Sequence, residues 1–207
     1  MPISDTLPVL LRRRFLAMAT VGAGAALLPG VARATAAERA QALVASLSTE
    51  MIALLQAGRS LGQLVADFER ILARYGDMAV VAASVLGPPW RSASPAQKQA
   101  FVAAFQTYLA RKYGRQFTDY QGAQIAIQRA RDAGKSGVLV ETTVNRPGRE
   151  PFVVEWQVSE RGGSAKVVNL IIEGVSMLTN ERAEVGSLLE AEGGNLDRLI
   201  ARMRAAA

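Results

Sequence analysis

The spacing of apolar residues changes twice along this 207-residue chain. Up to about residue 114 they recur every three or four positions, as on one face of a helix. From about 123 to 172 they alternate, as on one face of a strand, and beyond 176 the helical spacing returns. Helices and strands are therefore segregated, not interleaved. Parallel strands need a crossover of a dozen or more residues between them, and the breaks here are too short. The chain is expected to fold as a single α+β domain: N-terminal helices, an antiparallel meander of about four strands, then C-terminal helices.

The first helix is expected over 37–57, with Leu43, Leu47, Met51 and Leu54-Leu55 in phase and Gly58 as its stop. A second, 61–75, carries Leu64-Val65, Phe68, Ile71-Leu72 and Tyr75. Asp77 can cap a short third helix, Met78 to Leu86, which is apolar on every side and so should be buried. Gly87-Pro88-Pro89 stops it. Ser94-Pro95-Ala96-Gln97 then combines an N-cap, a first-turn proline and a capping-box glutamine. Phe101, Phe105 and Tyr108-Leu109 stripe the helix it opens, Arg111 and Lys112 suit its C-terminal dipole, and Gly114 ends it.

Strands are expected at 124–131, 138–145, 151–159 and 165–172, broken by Asp132–Gly137, Asn145–Gly148 and Arg161–Ser164. Val138, Val140 and Val144 share a face, as do Phe152, Val154, Trp156 and Val158; Glu155 and Gln157 point the other way. The fourth strand is apolar on both faces except for Asn169. Two C-terminal helices carry Val185, Leu188 and Leu189, then Leu196, Leu199-Ile200 and Met203, separated by Gly193-Gly194.

The N-terminus looks like an address. Arg12-Arg13-Arg14-Phe15-Leu16 opens an apolar run, Leu16 to Leu28, that Pro29-Gly30 breaks before Ala32-Arg33-Ala34. This is a basic region, a short apolar region and an A-x-A cleavage site, and R-R-x-F-L is twin-arginine-like. Residues 1–34 are expected to be an export signal cleaved after Ala34, leaving 35–207 in a bacterial periplasm. The net charge of +6, from 24 basic and 18 acidic residues, suggests an anionic partner. Without residues 1–34 the balance is 20 basic to 17 acidic, or +3, with no basic run, and nucleic acid ceases to be an expected partner.

With no cysteine and no histidine, thiolate nucleophiles, imidazole bases, disulfides and the usual zinc ligands are excluded. No phosphate loop, nucleophile elbow or clustered D-x-D pattern occurs, so neither a metal nor a cofactor is expected. Glu141 and Glu155 can meet across paired strands, where two like charges would repel without a partner. Glu173 follows an apolar strand and precedes Gly-Val-Ser; it is either a general base or a carboxylate that fixes a turn by accepting backbone N–H groups. Half of the residues are hydrophobic. The apolar third helix, the aromatic stripe and the apolar sheet face either line a binding cavity or fill a core.

Two segments resemble one known family. Tyr75-Gly-Asp-Met-Ala-Val-Val-Ala-Ala-Ser-Val-Leu-Gly87, followed by Trp90-Arg-Ser-Ala-Ser-Pro-Ala-Gln-Lys-Gln-Ala-Phe-Val-Ala-Ala-Phe-Gln-Thr-Tyr-Leu109 and Tyr113-Gly114, is similar to the first hallmark of the MlaC family. Glu173-Gly-Val-Ser-Met177 is similar to its second, and Arg182 and Leu188-Leu189 also fit. Ala165 and Val168-Asn169 depart from it, because family members commonly carry an aromatic and a carboxylate there. The resemblance, which covers nearly the whole chain after the leader, implies a phospholipid carrier that is not an enzyme. Its acyl chains would lie in an apolar cavity between the helices and a curved sheet. Its partners would be an inner-membrane ABC transporter with an MCE-domain subunit and an outer-membrane lipoprotein complex. The residues expected to line the cavity are Val81, Val85, Leu86, Phe101, Phe105, Leu109, Val138, Val140, Val144, Phe152, Val154, Trp156, Leu170 and Ile172. The alternatives are a carrier of a hopanoid or other apolar ligand in the same family, a periplasmic adaptor without a ligand, and a small α+β enzyme using Glu173.

Overall fold

The computed structural model describes residues 34–205. Apart from Ala34, the export signal expected over 1–34 lies outside the described residues. The helices are α1 (Ala36–Gln56), α2 (Leu61–Tyr75), α3 (Met78–Leu86), α4 (Pro89–Ser92) and α5 (Pro95–Gly114), then α6 (Met177–Ala191) and α7 (Leu196–Ala205). Between them lie two 3₁₀ turns (Phe117–Tyr120 and Gly134–Ser136) and five strands: β1 (Gln124–Asp132), β2 (Val138–Asn145), β3 (Phe152–Ser159), β4 (Lys166–Ile172) and β5 (Val175–Ser176). The fold is α+β, as the segregated periodicity predicts. The strands form one open antiparallel sheet in the order β1-β2-β3-β4-β5.

Three helices start with complete capping boxes. In α5 the Ser94 N–H donates to Gln97 Oε1 at 3.0 Å and the Gln97 N–H to Ser94 Oγ at 3.2 Å. The same reciprocal pair joins Thr35 to Glu38 and Ser60 to Gln63. Each satisfies two N–H groups that have no partner within the helix. Pro88-Pro89 ends α3 as expected, yet Pro89 also opens the single turn of α4. Proline suits a first helical turn, where its missing N–H is not needed.

The two-residue strand β5 lies beyond the four expected. It is made by a tight hairpin in which Ile172 pairs with Val175 across Glu173 (φ 48°) and Gly174 (φ 79°). Positive φ at both central positions is the type I′ geometry whose twist matches that of the flanking strands. Glu173 is an unusual residue for such a backbone. It is held there by two bonds to β3: its N–H donates to Val153 O at 3.1 Å, and its carboxylate accepts the Val153 N–H. Gly137 is required for a different reason, since at φ 91° a Cβ would sit 2.1 Å from Val158 O.

Two one-residue bulges re-phase the sheet. In β1, Ile127 opposes Thr142 and Arg129 opposes Glu141, so Gln128 is the extra residue. Ile125 and Ile127 therefore lie on the inner face with Ala130, while Arg129 and Arg131 are turned outward. In β4, Val158 opposes Val167 and Gln157 opposes Asn169, which leaves Val168 extra and lets Val167 and Val168 both be buried.

Most of the buried hydrophobic residues form two clusters. One joins Ala40, Val44 and Leu47 of α1 and Ile71 and Tyr75 of α2 to the inner sheet face, through Val140, Val154 and Trp156. The other joins Met78, Ala82 and Val85 of α3 to Phe101 and Phe105 of α5, Val185 of α6, and Leu199 and Met203 of α7.

Candidate functional site

A cavity of about 280 Å³ lies where the two clusters meet. This is just below the roughly 300–1,000 Å³ of small-molecule sites. From α1 and α2 it is lined by Leu47, Met51, Leu55, Phe68, Ile71, Leu72 and Tyr75. Met78, Val81 and Val85 come from α3, and Phe105, Leu109 and Tyr113 from α5. The sheet supplies Ile125, Val144, Phe152, Val154, Trp156 and Val167 through Leu170, with Ile172. Gly76, Phe117, Tyr120, Ala123, Met177, Leu178 and Glu181 complete it. The lining is aliphatic and aromatic, and Glu181 is its single charged side chain.

Of the residues expected at the cavity, the structure brings Val81, Val85, Phe105, Leu109, Val144, Phe152, Val154, Trp156, Leu170 and Ile172 to its wall. It places Leu86, Phe101, Val138 and Val140 elsewhere. Leu86 and Phe101 sit in the cluster shared with α7. Phe101 is one turn before Phe105 on α5, and the two rings stack with centroids 5.7 Å apart. Val138 and Val140 share the inner sheet face with Val144 but lie in the cluster packed against α1. One strand face thus contributes to both core and cavity, and the division falls along its length. The expected set contains none of the lining residues of α1, α2, the Phe117–Tyr120 turn and α6, nor Met78, Tyr113, Ile125 or Val167 through Asn169. Their apolar stripes are visible in the sequence, but nothing in a stripe tells a core face from a cavity wall.

Polar groups around the cavity are few and mostly satisfied. Asn169 Oδ1 accepts the Leu178 N–H at 3.0 Å, and its amide donates to Ser176 Oγ at 3.1 Å, tying β4 to the start of α6. Trp156 Nε1 donates to Thr142 Oγ1 at 2.9 Å, and Thr142 in turn donates to Val154 O at 3.0 Å. The indole can therefore be buried at the wall without leaving its N–H unpaired. The buried Glu181 accepts from Lys112 Nζ at 2.7 Å and from the Tyr113 hydroxyl, while its Oε2 has no partner. Lys112 also donates to Glu184, which accepts from Tyr108. Burial, reinforced by hydrogen bonds to Glu181 and Glu184, raises the Tyr113 and Tyr108 phenols well above their usual range. Burial pulls Lys112 down, but its two carboxylate partners outweigh this and raise it.

The acids singled out as chemical candidates have structural partners. Glu141 and Glu155 are direct cross-strand neighbours. The β1 bulge places Arg129 2.7 Å from Glu141 and Arg131 2.8 Å from Glu155, so two ion pairs answer the like-charge contact. Glu173 serves the turn described above. Among the described residues, no group of three or more acidic side chains converges as a metal site, and no helix is long and apolar enough to cross a membrane.

Comparison with known proteins agrees with this architecture. The chain is similar to the intermembrane phospholipid transport system binding protein MlaC of Haemophilus influenzae, at 26% identity over 138 residues, 64% of this chain and 63% of that protein. It is also similar to the toluene tolerance protein ttg2D of Pseudomonas putida, at 28% identity over 134 residues, 63% of this chain and 61% of that one. The chain thus spans just under two thirds of the length of these curated relatives. Among solved structures, its fold resembles that of a phospholipid-binding protein from Ralstonia solanacearum determined in complex with a phospholipid. The TM-score is 0.66 at 22% identity, covering 79% of this chain and 98% of that one. Residues 45–205, from the middle of α1 to the end of α7, match the MlaC protein family. With both hallmark segments, an α+β fold shared with a solved phospholipid-binding protein and a match over most of its length, the chain belongs to the MlaC family.

Proposed function

We propose that this protein binds a phospholipid by its acyl chains in the cavity and carries it between membranes, by binding and not by catalysis. The observation that carries this reading is the lining itself: aliphatic and aromatic side chains from the sheet and from α1, α2, α3, α5 and α6, with one carboxylate among them. Each CH₂ transferred from water to such a wall gains about 0.8 kcal/mol, so a sixteen-carbon chain crossing water unprotected would lose on the order of 12 kcal/mol. A wall that is mostly apolar nearly replaces the bilayer for the acyl chains while leaving release possible. The relatives, one named for intermembrane phospholipid transport, support this reading.

The setting follows from it. Residues 1–34 are an export signal of twin-arginine type, and residues 35–207 work in the periplasm. There the carrier exchanges lipid with an inner-membrane ABC transporter bearing an MCE-domain subunit and with an outer-membrane lipoprotein complex. The mature charge of +3 assists docking to anionic surfaces. The test is mass spectrometry of lipid extracted from folded protein purified out of a periplasm. One phospholipid per chain is expected, and folded protein that yields no lipid overturns the proposal.

A further inference from the structure

Besides Glu181, another charged side chain at the edge of the cavity combines a buried polar atom with no partner of its own. Arg146 follows β2, in the turn that leads to β3. Its guanidinium carbon lies 4.9 Å from the centre of the Tyr120 ring and 5.1 Å from that of Phe152. Those rings meet edge to face, 6.3 Å apart at 74°, and both line the cavity. Arg146 Nε is buried without a hydrogen-bond partner. Among the described residues neither Nη group donates to the protein, and no carboxylate lies within ion-pair distance. Arg129 and Arg131, one strand away, are both paired.

A guanidinium stays charged at any physiological pH and presents its donors as a planar fork suited to phosphate oxygens. Cation–π contact with the two rings holds that group in place and limits the rotamer freedom it would lose on binding. The rings that hold it are half-buried members of the cavity wall. The fork is therefore where the polar end of an amphiphile would emerge once its chains filled the cavity.

We propose that Arg146, held between Tyr120 and Phe152 at the cavity edge, anchors the phosphate of a lipid whose chains occupy the cavity. This rests on the lipid-binding proposal and adds to it a residue that recognises the headgroup. The test uses delipidated full-length mature protein and two lipids with identical acyl chains, phosphatidic acid and diacylglycerol, which differ by one phosphate. Wild type should prefer phosphatidic acid by roughly tenfold to a hundredfold, the range of a charge-assisted hydrogen-bonded pair. Arg146→Gln should bring the ratio close to one without weakening diacylglycerol binding, and Arg146→Lys should retain part of the preference. Glycerol phosphate, which lacks the chains, should not compete. An undiminished preference in folded Arg146→Gln overturns the anchor, and so does equal binding of both lipids by wild type, which leaves the lipid-binding proposal intact. Competition by glycerol phosphate that depends on Arg146 also overturns it, assigning the fork to free phosphate esters. Wild-type binding of neither lipid overturns both proposals.

Discussion

Single side chains here do work that their types do not announce. Thr142 is fully buried in the middle of β2, where a valine would satisfy the strand pattern equally well. Its hydroxyl links the Trp156 indole to the backbone of β3. Thr142→Val keeps the shape and removes the acceptor, leaving a buried indole N–H with no partner. The expected cost is about 1–3 kcal/mol, read as a lower urea midpoint at unchanged m-value. A midpoint equal to wild type would mean that the hydroxyl has no such role. Glu173 shows the same economy. A carboxylate that from sequence alone was open to a catalytic role is occupied by the Val153 N–H and stabilises a left-handed backbone.

At the scale of elements, the contact between α5 and α6 is ionic as well as apolar. Lys112 and Tyr113 of α5 converge on the buried Glu181 of α6. Removing one partner leaves a buried carboxylate undercompensated. Lys112→Met should cost roughly 2–3 kcal/mol, less than a fully buried pair because Lys112 is 27% exposed. The double variant Lys112→Met, Glu181→Leu should recover much of that loss in chemical denaturation, and its failure to do so would show that the pair is not coupled. The tether also has an alkaline limit. Tyr113 is raised by burial and by Glu181, and Lys112 is raised by its carboxylates in spite of burial. Groups with raised folded pKa values contribute stability fully below their unfolded values, near 10, and lose it as pH rises through the folded ones. Thermal stability should therefore fall above about pH 10. Tyr113→Phe should flatten that fall, and an identical pH profile in the variant would exclude the tether as its source.

For the whole molecule, the cavity is a cost that a ligand repays. Unfilled apolar space forfeits packing contacts, and a bound chain restores them. Lipid-loaded protein should melt higher than delipidated protein, with the shift growing with lipid concentration. Val81→Trp, which adds bulk from α3 into the cavity, should reduce retained lipid about tenfold, equivalent to roughly 1.4 kcal/mol of affinity. Overpacking strain should cost about 1–3 kcal/mol of stability. Undiminished lipid in folded Val81→Trp would place the chains elsewhere.

Local chemistry was legible in the residues. The helix and strand boundaries follow from the change of period, the capping box at Ser94, and glycine and proline breaks that act over a few bonds. The family hallmarks are equally local, each running along one stretch of chain. The residues also show that Glu141 and Glu155 can face each other. They do not show that an extra Gln128 swings Arg129 and Arg131 to the same face to neutralise them, because a bulge exists only between two strands. Nor do they separate Phe105, at the cavity, from Phe101 one turn earlier, in the core. Burial in a wall and burial in a core demand the same apolar side chain. The difference lies in whether another element fills the space opposite, and only the tertiary packing of the helices on one another and on the sheet decides that.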